Sequence, residues 1–310
     1  MEQFTTLDSK RDVITKLDAV TTTGIFTDGT GVMSTWYTSS VQSAASSSHY
    51  YLNIYDAAVT SSVAFDISYG HRTGSAAYVN SYDEDYEPDQ AIYGQYANLC
   101  LPDGTTQFTL DGTTATDEIF VINFNRTYLK DGVYANSLDD VKLTVNSTEL
   151  NTSGSDSTTV PTTGPNAGSA YYMENAGTKY GIIYPKLGTI ILNKAITGIT
   201  TGTAVDQQTN ISNFYDALGS FTCKNEERIS TTHYFCRLYN DQYNFTNNPT
   251  WQTGSAGLMK YSEMYGDPQV YVTTIGMYDD NNNLLATAKL NKPQLKNFER
   301  ELLVKVRIQY

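Results

Sequence analysis

Gly181-Ile182-Ile183-Tyr184-Pro185-Lys186-Leu187-Gly188-Thr189-Ile190-Ile191-Leu192 holds two short apolar runs around a segment that opens on Pro and closes on Gly. Proline presets one turn dihedral and glycine permits a positive one, so the stretch predicts two strands joined by a tight turn at 185–188.

Similar runs lie on either side. Glu118-Ile119-Phe120-Val121-Ile122-Asn123-Phe124 contains a continuous apolar run, the pattern of a strand buried on both faces, whereas Val141-Lys142-Leu143-Thr144-Val145 alternates. Earlier, Tyr50 to Tyr55 alternates loosely and Val63 to Tyr69 more strictly, predicting strands with one buried face. Downstream, two hairpins are predicted, Phe221 to Ile229 with His233 to Leu238, and Val270 to Tyr278 with Leu284 to Leu290. Leu302 to Ile308 alternates as a half-exposed edge strand does.

One segment has a different period. After Asp89, a helix-capping type, Ile92, Tyr96 and Leu99 fall at spacings of four and three, predicting a short helix that Gly94 weakens. Residues 151–170, mostly Asn, Thr, Ser, Gly and Pro, predict a long surface loop. Many short strands with turn signals and no repeat predict a mainly β fold. The expected architecture is an antiparallel β-sandwich or barrel-like body with one or two short helices. Residues 1–45 are expected as an N-terminal arm and 46–310 as the body, with a β-rich insertion at about 150–215.

Composition narrows the function. Only 17% of residues are charged, and 25 tyrosines with abundant Ser, Thr, Asn and Gly favour strands and turns. The net charge of −13 repels phosphate, so no nucleic-acid partner is expected. The first residues carry no basic segment followed by an apolar run, and no stretch of about 18 apolar residues occurs, so no membrane partner is expected. Folding in a cytoplasm is expected, with Cys100, Cys223 and Cys236 as buried thiols.

Raw material for catalysis is thin. His49, His71 and His233 sit in separate segments without metal or triad spacing, and no enzyme, catalytic residue, cofactor or metal site is expected. Tyr69-Gly70-His71-Arg72-Thr73-Gly74-Ser75 offers Gly, Ser, Thr and Arg for an anion but lacks the Walker spacing, and the preferred reading is a strand end with its loop. The acidic loop 83–89, flanked by Tyr82, has oxygens enough for calcium but no EF-hand glycine or terminal Glu, and a solvated loop leading into the helix is preferred. Paired carboxylates for glycoside hydrolysis need only meet in space, so sequence neither supports nor removes that reading. Tyr and Asn suit a sugar-binding surface, and equally a homo-oligomeric interface, which is preferred. Four Asn-x-Ser/Thr sequences, at Asn125, Asn146, Asn210 and Asn244, matter only for a secreted chain.

Near the C-terminus, Tyr271-Val272-Thr273-Thr274-Ile275-Gly276-Met277-Tyr278, a polar turn Asp279 to Asn283, and Leu284-Leu285-Ala286-Thr287-Ala288-Lys289-Leu290 resemble a hairpin of virion structural proteins from T-even-like myophages of marine bacteria, cyanobacterial ones included. A looser version occurs in phage tail-fibre proteins. The likeness continues through Phe298-Glu299-Arg300-Glu301 and the closing strand, and upstream in His233-Tyr234-Phe235-Cys236-Arg237. The resemblance implies a virion component of baseplate, tail or neck/collar, assembled in the host bacterial cytoplasm. It binds other virion proteins, is expected as a homo-oligomer in a symmetric ring, and brings no catalytic residues. The alternative is a tail-fibre or adhesin-like module binding a host surface glycan.

Overall fold

The computed structural model describes residues 4–26, 29, 31–38, 50–57, 62–74, 88–137, 140–153, 169–194, 199, 207–254 and 257–310. The chain forms two compact units: unit 1 comprises Met1–Ala19 and Ile229–Tyr310, and unit 2 is Val20–Arg228.

Unit 2 is built on one antiparallel sheet of eleven strands. In spatial order they are β2 (Val32–Met33), β13 (Leu218–Thr222), β8 (Lys142–Val145), β9 (Thr148–Thr152), β10 (Tyr171–Asn175), β11 (Thr178–Tyr184), β12 (Thr189–Asn193), β6 (Glu118–Phe124), β5 (Val63–His71), β4 (Leu52–Asp56) and β3 (Trp36–Thr38). The outermost strands, β2 and β3, are separated in sequence only by Ser34 and Thr35. Three steps of about 3.8 Å are the most that can part their ends, so the sheet must curl back on itself. The result is a nearly closed, barrel-like sheet, as the strand-rich sequence predicts.

Period-two alternation sorts side chains into two cores. Phe65, Ile67, Phe120, Ile122, Phe124, Leu143, Ile183, Ile190, Leu192 and Phe221 join one cluster. Ile119, Val121, Ile182 and Ile191 face a second with Tyr93, Tyr96 and Phe108. β6 and β12 therefore need apolar residues on both faces, which explains their unbroken runs. The β11–β12 turn forms as predicted, with Gly188 at φ +67° and its N–H donating to Tyr184 O at 2.9 Å.

Helix α1 (Pro88–Cys100) covers the second core. Its buried face is Ile92, Tyr93, Tyr96, Ala97 and Cys100, while Leu99 is exposed, so the face is rotated from the predicted one. Gly70 on β5 permits the close seating: a Cβ there would lie 2.9 Å from Tyr93 N, and its absence lets the helix backbone approach the sheet. A single turn, α2 (Arg126–Leu129), is capped by Asn125, whose side chain accepts from Thr127 N. Helix α3 (Gln207–Ala217) is not predicted. It buries Ile211 and Phe214 in the first core, and Phe214 stacks on Phe120 at 4.4 Å.

Residues 150–215, expected as an insertion, supply β10, β11 and β12 to the middle of the sheet. They are placed there because β11 and β12 carry apolar residues for both cores. Of the expected loop at 151–170, Asn151 and Thr152 end β9, and 154–168 lie outside the described residues. The expected arm, 1–45, contributes Ile25, Phe26 and Met33 to the first core, which ties β2 into the sheet.

A four-stranded sheet has the order β1 (Val13–Gly24), β14 (Lys224–Leu238), β19 (Leu302–Gln309), with β7 (Gly132–Val133) also on β14. Both β1 and β14 span the boundary between the two units. The hairpin predicted within 221–238 does not form, because β14 runs on for 15 residues. Ser230-Thr231-Thr232 holds no Gly, Pro, Asn or Asp to set a tight turn, and β-branched Thr231 and Thr232 are buried in the extended chain. Edge strand β19 pairs from Thr231↔Gln309 to Leu238↔Leu302, turning Val304 and Val306 inward as its alternation predicts.

The rest of unit 1 includes a short pair, β15 (Gln252–Thr253) with β16 (Leu258–Met259), and the long ribbon β17 (Val270–Tyr278) with β18 (Leu284–Lys296). The ribbon hairpin forms as predicted, but β18 continues past Leu290. The register jumps from Thr274↔Lys289 to Val272↔Gln294, and the residues looped out include Pro293, which has no N–H for a ladder.

Candidate functional site

In unit 2, polar side chains gather where β5 ends and β6 begins. His71 faces Glu118 across the ladder, and Arg72 N donates to Asp117 O at 2.8 Å. The Arg72 guanidinium binds Asp117, which also accepts from Gln107 Nε2 at 2.8 Å. Glu118 accepts from Lys194 Nζ at 2.6 Å and from the Tyr69 hydroxyl at 3.0 Å. Ala115, Thr116, Asp117, Glu118, Asn193 and Lys194 line an open cleft of about 420 Å³.

Each cation in this cluster already faces a carboxylate. Arg72 holds the Asp117 carboxyl below the usual carboxylate range, and Asp117 in turn raises the guanidinium pKa. The loop that offered an anion cradle is closed on itself: Thr73 N donates to His71 Nδ1 at 3.3 Å, and Arg72 is spent on Asp117. These contacts match the strand-end reading of 69–74; Ser75 lies outside the described residues.

A second polar group sits under α1. Asn123 donates to Asp66 Oδ1 at 3.0 Å and to the Tyr96 hydroxyl, and accepts from Thr189 Oγ1 at 2.9 Å. Burial raises the Asp66 carboxyl to about 6 against the opposing Asn123 bond. Sequence reading missed this residue; its signal was one carboxylate between Phe65 and Ile67 in a strand.

The other expected features are dispersed. His71 ends β5, His233 lies in β14, and His49 is outside the described residues, as are 83–87 of the acidic loop. Asp89 is buried at the start of α1, its carboxylate accepting from Gln90 N at 2.9 Å. Burial pushes the Cys100 thiol up to about 12 and Cys223 well above its ordinary value, so both are poor nucleophiles. Among the described residues no three His, Cys, Asp or Glu side chains are grouped to hold a metal ion. No helix among them is long and apolar enough to cross a membrane.

Unit 1 holds a buried lysine. Lys296, at 0% exposure, donates Nζ to Asn240 O at 3.0 Å, Asn244 Oδ1 at 2.8 Å and Asn297 O at 3.1 Å, which satisfies all three ammonium protons. Asp12, also buried, accepts from Arg11 and from Arg237 Nε at 3.0 Å, and its pKa falls accordingly.

The ribbon β17–β18 forms a sheet of its own, with Thr274, Gly276, Thr287 and Lys289 exposed on one face and Ile275, Met277, Ala286 and Ala288 half-buried on the other. Tyr271, Tyr278, Leu284 and Leu285 are also exposed. Its turn is tied by Asp279, whose carboxylate accepts from Asn281 N, Asn283 N and Asn283 Nδ2 at 2.7 to 2.9 Å.

No protein-family model, curated protein or solved structure matches the chain.

Proposed function

We propose that this protein is a structural component of a tailed-phage particle, a subunit of a baseplate, tail or neck/collar layer that works by assembling with other virion proteins. In this reading it performs no catalysis and takes no cofactor or metal.

The observation that carries the reading is the ribbon. The residues that resemble a myophage virion hairpin are the ones that form a two-stranded sheet outside either larger sheet, with large apolar side chains in solvent. An isolated ribbon of this kind is marginal in water and is stabilised when it packs on, or adds to, a neighbour. The paired charges of the Arg72–Asp117 and Lys194–Glu118 cluster fit a structural role as well.

The test is quantitative mass spectrometry of gradient-purified particles of the phage encoding the chain, against lysate from infected cells. The chain is expected in fixed stoichiometry with tail proteins. Presence in lysate with absence from particles overturns the reading, and retention of the isolated protein on host lipopolysaccharide points to the glycan-binding alternative.

A further inference from the structure

Unit 1 inverts the usual partition of side chains. It holds 101 of the 310 residues but 16 of the 21 exposed large apolar side chains among the described residues, so this surface is concentrated rather than scattered. Among the described residues neither apolar core includes one from unit 1. Apart from Pro268, its buried apolar side chains among the described residues are Val270, Val304 and Val306. Asp12, Thr231, Thr232, Asn244, Lys296 and Asn297 are buried instead. Ordering about a hundred residues costs conformational entropy that polar contacts alone do not offset.

The apolar groups left in water sit on strands with an edge that no described strand pairs. β1 exposes Ile14 and Leu17, β19 exposes Leu303, and the ribbon exposes Tyr271, Leu284 and Leu285. Both β1 and β19 are outer strands of their sheet, and the ribbon has only two strands.

The charge distribution points to the occupant. Unit 1 carries eleven basic and eleven acidic residues, whereas unit 2 carries nine and 22, so the whole net charge of −13 lies on unit 2. Copies meeting through unit 2 repel one another, while copies meeting through unit 1 bring together surfaces with no net charge.

We propose that unit 1 is an association module whose apolar core is completed by unit 1 of further copies of this chain, joined at the edges of β1, β19 and the ribbon. This names the partner within the assembly reading above and rests on it. A head-to-tail contact between different edges repeats around an axis and closes into a ring where the rotation permits.

Sedimentation velocity and amide hydrogen exchange on the full chain test it. The expected result is a discrete multimer that survives high salt, with protection of β17–β18 amides falling on dilution while β6 and β12 stay protected. Leu17→Lys combined with Leu285→Lys places charge on side chains already exposed in a single copy, and is expected to raise the dissociation constant about 100-fold or more. Leu99→Lys, on an exposed apolar position of unit 2, is expected to leave the multimer intact. A monomer whose β17–β18 amides are protected at every concentration overturns the proposal, as does a multimer that ignores the double substitution. A monomer found in purified particles overturns this inference alone, while a multimer absent from particles overturns the virion reading alone.

Discussion

Single side chains carry two of the strongest stability statements. Lys296 is an ammonium saturated by three carbonyl-type oxygens, from Asn240, Asn244 and Asn297. Lys296→Met leaves those acceptors without a donor, and an expected loss of about 3 kcal/mol is readable as a lower denaturant midpoint for unit 1. Asp66 works through pH. Its carboxyl lies at about 6 in the folded chain against 3.8 when unperturbed, so the native state binds more protons between those values. Stability therefore falls as pH rises through that window, by a total on the order of 2–3 kcal/mol. Asp66→Asn is expected to remove this dependence, and a wild-type minus variant difference in unfolding free energy that is flat from pH 4 to about 7 contradicts the assignment. Neither residue stood out in the sequence, because a lone Lys or Asp in an alternating strand looks like a solvent-facing position until tertiary packing covers it.

Elements were legible where one local pattern decided them. β5, predicted with one buried face, is buried on both, Ser68 and Gly70 as well as Ile67 and Tyr69, but the alternation in β8 and β19, the double-sided run in β6, and the Pro-to-Gly turn after β11 each correspond to the structure. Those strands need only know which side is apolar. Helix α3 was not legible, since in Gln207–Ala217 only Ile211, Phe214 and Ala217 mark its apolar face. Nor was the continuity of β14, which is set by separate partners for its two halves, β7 and β19. The seating of α1 depends on Gly70, so Gly70→Ala is expected to push Tyr93 outward and cost about 2–3 kcal/mol, measurable as a lower thermal midpoint for unit 2. In the ribbon, Asp279→Ala removes three hydrogen bonds from the turn. Local stability of the turn is expected to fall with them, seen as faster amide exchange at Met277 to Ala286 with β6 unchanged.

At the scale of the whole molecule, the chain divides its labour by charge and burial. Unit 2 has both apolar cores and all the net charge, whereas unit 1 is electroneutral with its large apolar side chains in water. Sequence patterns revealed the mainly β class and a sandwich or barrel-like body, but not the strand order that closes the eleven-stranded sheet or the split into units. Both arise from pairings between distant segments, such as β2 with β13 and β14 with β19. The measurement that bears most directly on the assembly account is a cryo-EM map of the intact phage particle. The account predicts this chain repeated around the tail axis, each copy with its unit 2 barrel-like sheet intact and with ribbon residues Tyr271, Leu284 and Leu285 buried against a neighbour. A particle without the chain, or one in which every ribbon projects into solvent, contradicts it.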